Sequence, residues 1–244
     1  MRRVIAMVSM VALVMTIGSR VRAEEKGDAR ATIDRAIKAT GGEEKIKKFR
    51  AMTWKEKGTF YGMGDGVAYT GIYSHQYPNQ FRMEIENVFV IVVNGDKGWS
   101  QMGGNTTEMT KDQLAEQKEG MYADSVARLT PLSDKAYKLA ALPEIKVNGR
   151  AAVGVKVSHK GHRDVKLYFD GESGLLVQRE QTVKDDQSGK EVTQVATFSD
   201  FKAVEGIKVP TKTVIMRDGK KFVEAEEHDV KLLEKLDDST FDKP

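Results

Sequence analysis

The stretch FSDFKAVEGIKVPTKTVIMRDGK, residues 198–220, decides how the chain is read. Apolar and polar residues alternate along it, Gly206 and Asp218-Gly219 supply turns, and Pro210 withholds a ladder donor. The pattern predicts two strands turned near Gly206, the second running over 207–216, with Phe198, Ile207, Val209 and Val214 as wall or core residues and Pro210 at an edge or bulge. The stretch holds no Cys, no His and no Ser in the strand–Ser–helix setting of a nucleophile elbow. Such a segment is a wall, and the rest of the chain decides what it encloses.

The same pattern extends in both directions. Strands are predicted over 52–61, 67–77, 80–86, 88–93, 137–142, 151–159, 165–169, 175–183, 192–201 and 221–230, with turns at Asn94-Gly95, Asn148-Gly149, Asp170-Gly171 and Ser188-Gly189. VFVIVV (88–93) is an unbroken apolar run and reads as a central strand. Two regions are helical. Residues 27–50 begin with Ala29, Ile33, Ala36 and Ile37 on one stripe, stop at Gly41-Gly42, and continue as a short helix. Residues 110–130 begin at a capping Thr110 and end before Pro131. About eleven strands and two or three helices predict a mainly β (α+β) fold built on one wide antiparallel sheet. A sheet this wide curls, so the expected form is an incomplete β-barrel with the helix over 110–130 as a lid.

Composition narrows the function. Arg2 and Arg3 precede an apolar run over 4–18, and SRVRA closes at Ala23, which reads as a signal peptide over 1–23. The run is short against the about 20 residues of a spanning helix. Removing it leaves 35 basic against 36 acidic residues, a net charge of −1, so no nucleic-acid partner is implied. Cysteine is absent, which excludes thiolate metal sites and Cys nucleophiles. The expected product is one periplasmic or secreted domain over 24–244, with no cofactor and no metal, acting as a monomer.

Large apolar residues gather before and around the lid. The expected cavity and lid residues are Trp54, Tyr61, Tyr69, Tyr73, Phe81, Met83, Phe89, Ile91, Trp99, Met102, Leu114, Met121 and Val126. On pattern alone a solid core accounts for them better than a hollow does. The Met content tilts toward an adaptable apolar surface.

KATGGEEKIKKFRAM, YPNQFRMEIE, VNGDKGWSQMGGNTTEMT, LYFDGESGLLVQRE, FSDFKAVEGIKVPTK and LDDSTFDKP stand in an order and spacing that resembles the LolA/LolB-like superfamily, the periplasmic lipoprotein carriers of outer-membrane lipoprotein sorting. The resemblance covers nearly all of 24–244. It implies a half-barrel closed by helices around a hydrophobic cavity that buries lipid or lipoprotein acyl chains, without chemistry on the cargo. It also implies inner- or outer-membrane transport partners and an arginine that holds the lid, for which Arg82 and Arg128 are the candidates.

Two other function classes stand beside this one. The first is a non-catalytic envelope module with a filled core that engages a protein through a sheet edge. The second is an envelope hydrolase using His159, His162 and Asp164 of HKGHRD. A zinc site there needs a third fixed protein ligand, and the glycine between the histidines reads as a hairpin loop of solvated side chains.

Overall fold

The computed structural model describes residues 28–185 and 188–244, so the predicted signal peptide lies outside the described residues. Helices α1 (Ala29–Thr40) and α2 (Glu43–Lys48) open the chain. Asp28 caps α1 by accepting the Arg30 N–H, and Ile33 and Ala36 of the predicted stripe are fully buried. Six strands follow: β1 (Ala51–Phe60), β2 (Val67–Gln76), β3 (Gln80–Ile85), β4 (Phe89–Asn94), β5 (Lys97–Met102) and β6 (Asn105–Glu108). Helix α3 (Lys111–Ala127) interrupts them, started by a capping box in which Thr110 and Gln113 satisfy each other's backbone N–H groups. The remaining strands are β7 (Lys138–Val147), β8 (Arg150–Ser158), β9 (Val165–Asp170), β10 (Leu176–Lys184), β11 (Glu191–Ser199), β12 (Lys202–Val204), β13 (Ile207–Val209), β14 (Lys212–Arg217) and β15 (Lys220–Leu233).

Thirteen strands form one antiparallel sheet in the order β6-β5-β4-β3-β2-β1-β15-β14-β11-β10-β9-β8-β7. The end strands β6 and β7 do not pair, so the sheet is not closed into a barrel. The long-range β1–β15 ladder joins the first strands to the last. The sheet is wider than the expected eleven strands because residues 97–102 and 105–108 also pair as β5 and β6.

The segment over 198–220 departs from its expected form. β11 and β14 are the two neighbouring sheet strands expected, but no simple turn at Gly206 joins them. β12 and β13 form a separate two-stranded hairpin around that glycine, and the main sheet resumes only at β14. Pro210, which has no N–H to give, stands at the break.

The position of α3 shows that the sheet curves. A Cβ built on Gly98 of β5 would lie 3.0 Å from Leu114 Cδ1, so the start of α3 rests on β5. Ten residues later, Asp124 pairs with Arg179 of β10. Those strands are eight steps apart in the sheet, roughly 38 Å along it at ~4.8 Å per step. The helix between the two contacts is roughly 15 Å long. Only a sheet bent around α3 brings both strands to it.

The helix is not a lightly held cover. Tyr122, Ala123 and Val126 share the main core with Ile33 and Ala36 of α1, Val155 and Val157 of β8, and Leu167 and Phe169 of β9. Its outer side is tied by Lys118 to Asp96 at 2.6 Å, by Glu116 to Arg163 at 2.7 Å and by Glu119 to His162 at 2.8 Å. Among the described residues no helix is long and apolar enough to cross a membrane.

Candidate functional site

A cavity of 250 Å³ lies beneath the C-terminal half of α3. Its walls come from distant parts of the chain. β1 gives Met52 and Trp54, β15 gives Glu227 and Leu232, and the segment over 198–220 gives Phe198, Phe201, Ile207, Val209 and Pro210. Thr40 and Ile46 close it from the helices at the start of the chain, and Ala127 and Arg128 cover it from above. The lining is mostly apolar; larger depressions of 440 Å³ and 370 Å³ lie beside β7 and beside α2. Close packing made room for this wall: a Cβ on Gly41 would meet the Gly206 carbonyl oxygen at 2.5 Å, so glycine lets the α1 end touch the β12–β13 turn.

A few polar groups interrupt the apolar lining. Glu227 faces Glu56 across the β1–β15 ladder. Burial, then the Glu56 charge, pushes the Glu227 carboxyl up to about 7, although Thr213 donates to it at 3.1 Å. Glu56 is better served: it accepts from Tyr69 and, at 3.0 Å, from Tyr73, whose ring stacks on Trp54 at 4.8 Å. Burial and the Glu56 charge hold both phenols above their usual range, so they remain O–H donors. His75 is 1 % exposed, and burial lowers its pKa to about 4, which keeps the ring neutral. It stacks on Tyr77 at 3.9 Å, and its Nε2 has no hydrogen-bond partner among the described residues.

Arg128 sits at the cavity rim. Its Nη2 donates to the carbonyls of Ile46, at 2.8 Å, and Phe49, and its guanidinium lies 4.3 Å from the Tyr77 ring centre. It therefore fastens the end of α3 to α2. Arg82, the other candidate for holding the lid, is not near α3: it pairs with Glu84 at 3.0 Å on the opposite face of the sheet from Phe81 and Met83.

Of the expected cavity residues, Trp54 lines the cavity. By ladder register Tyr69, Tyr73, Phe81, Met83, Phe89, Ile91 and Met102 share its concave face, but beyond the cavity toward the β6 edge. Trp99 pairs with Val92 and points to the other face, as does Val214 beside the inward Thr213. Tyr61 follows β1, under Lys221. Leu114 rests on Gly98, while Met121 and Val126 are buried, Val126 in the main core. Sequence reading missed His75, Tyr77, Asp124, Arg179 and Glu227. For His75, Arg179 and Glu227 the signal is a polar residue at an inward register position, which requires knowing the register; Asp124 of α3 and Tyr77, just past β2, carry no such signal.

Of the HKGHRD histidines, His162 is exposed as expected, while His159 is half-buried. His162 stacks on Tyr122 at 3.9 Å and so holds α3 to the β8–β9 loop, and His159 packs on Tyr137, just before β7, at 4.6 Å. Among the described residues no group of three His, Cys, Asp or Glu is placed to hold a metal ion.

No family model and no curated protein matches the sequence. Solved structures do match the fold. A LolA superfamily protein from Nitrosomonas europaea superposes with a TM-score of 0.57 at 13 % identity, covering 88 % of this chain and 97 % of that one. A DUF1329 family protein from Desulfovibrio piger gives 0.60 at 10 % identity, over 88 % and 97 %. A domain described as outer membrane lipoprotein-sorting from Vibrio parahaemolyticus gives 0.56 at 10 % identity, over 88 % and 98 %. The chain is thus similar in fold to LolA-like proteins over most of its length.

Proposed function

We propose that this LolA-like fold is a carrier or sensor that buries a lipid or lipoprotein acyl chain in the cavity beneath α3. The observation that carries the reading is the 250 Å³ space itself, with Trp54, Phe198, Ile207, Val209 and Leu232 around it. A chain entering it gains about 0.8 kcal/mol per methylene removed from water. The space is smaller than the about 300–1,000 Å³ usual for small-molecule sites, so the closed form takes part of one chain. Larger cargo extends along the half-buried Phe81, Met83 and Ile91 on the same face. The cargo undergoes no reaction; it is held and released.

In this reading residues 1–23 direct export and 24–244 form one binding domain acting in the bacterial envelope. The described similarity to LolA-like and lipoprotein-sorting structures supports that setting. Native mass spectrometry of protein purified from its host without detergent tests it. A co-purified lipid adduct is expected. Repeated lipid-free preparations that also fail to take up a fluorescent fatty acid would rule the reading out.

A further inference from the structure

A second concavity meets the cavity at Arg128. It is an open groove of 370 Å³ that shares Ile46, Tyr77 and Arg128 with the inner space. Its polar lining is Lys47, Arg50, Arg128, Ser125, Thr130 and Tyr137, with no carboxylate among its lining residues. Three cations thus line one groove with no acid among its lining residues.

The cations are not consumed by internal pairing. Arg50 is exposed and makes no side-chain hydrogen bond or ion pair among the described residues. Among the described residues Lys47 is paired only with Glu43, one turn away on α2, with both side chains about half exposed. Such a surface pair is worth at most about 1 kcal/mol and opens readily. Arg128 is held in place by two carbonyls, both through Nη2, and by the Tyr77 ring. A fixed planar guanidinium with hydroxyls and two exposed cations around it is suited to a phosphate group.

We propose that this groove is a headgroup site for an anionic, phosphate-bearing amphiphile whose acyl chain lies in the inner cavity. The inference rests on the proposed chain-binding reading for its apolar half, and on the groove alone for its charged half. Arg128 stands at the junction, where a headgroup attached to a buried chain must emerge. The preference it predicts is for a charged over a neutral lipid of equal chain length. Glu227 and Glu56, inside, disfavour carrying the anion deeper.

The test uses protein exported from the full-length chain and stripped of lipid, titrated at low ionic strength, where exposed charges act most strongly. The probes are a lysophosphatidylglycerol, a monoacylglycerol with the same chain, and inorganic phosphate. We expect the phospholipid to bind roughly tenfold more tightly than the neutral lipid, the scale of one charge-assisted hydrogen bond. Arg50→Gln, which changes an exposed side chain, removes that preference and leaves monoacylglycerol affinity unchanged. Equal affinity for both lipids, or an equal loss of both in Arg50→Gln, overturns the headgroup site while chain binding stands. If neither lipid binds, both the headgroup site and the chain-binding reading fall, and phosphate binding that depends on Arg50 then marks the groove as a site for free anions.

Discussion

Glu56 and Glu227 stand opposite each other on the inner face of the β1–β15 ladder, and they are served unequally. Glu56 has two tyrosine donors, while Glu227 has Thr213. The consequence is a carboxyl held near half-protonation at neutral pH. Because its folded pKa, about 7, lies above its ordinary 4.5, the native state takes up a proton between those values. Stability contributed by Glu227 is therefore present below pH 4.5 and is lost as pH rises toward 7. His75 acts in the opposite sense: its pKa falls from 6.5 to about 4, so its contribution is present above 6.5 and is lost as pH falls. The two oppose each other in the shared window. Glu227→Gln removes one side of the balance. Urea midpoints should then stay level above pH 6.5, where the parent still loses somewhat under about 1 kcal/mol. A parent and variant with parallel pH profiles would show that folding does not shift the Glu227 carboxyl.

Val126 decides whether α3 is a lid or a core element. Its side chain is fully buried among Ile33, Val155 and Leu167, not poised over the cavity. Val126→Asp places an unpaired carboxyl there and should cost about 3 kcal/mol or more in chemical unfolding. Ligand retention fails with folding and not before it. A folded Val126→Asp protein with normal stability would mean that the helix detaches as a unit.

Gly41 touches the carbonyl of Gly206 at a backbone angle, φ +143°, that side chains rarely adopt. Gly41→Ala combines strain with overlap and should cost about 2 kcal/mol. Hydrogen exchange should place the loosening at Val204–Val209, the hairpin against the helix end. Unchanged exchange there would show that the contact does not set the position of the wall.

Local pattern carried much of this architecture. The α1 stripe was readable because Ile33 and Ala36 recur at helical spacing, and β9 because Val165, Leu167 and Phe169 alternate. The sides of β4 and β5 were not readable. Val92 and Val93 are both fully buried, because residues near Phe241, whose carbonyl accepts from Asn94, cover the back of the sheet. Alternation disappears there, and with it the orientation of Trp99. The cavity itself was misplaced toward the aromatic-rich first strands. Its position depends on β1 meeting β15 and on α3 crossing the bend, contacts between residues far apart in sequence. Composition alone marks no such contact. Residues 198–220 were correctly read as wall at Phe198, Ile207 and Val209, while their path was not, because Pro210 splits the expected strand.

Trp54 lines the cavity and Trp99, the other tryptophan, faces away from it. Trp99→Phe therefore leaves a single emitter in the wall. Titrating this variant with a monoacylglycerol tests the central claim most directly, with Ala127→Phe, which fills the space from above, as the paired control. Acyl-chain burial beneath α3 predicts a saturable change in Trp54 emission that the filled variant loses. Emission that never responds, or equal affinity with the space filled, would contradict it.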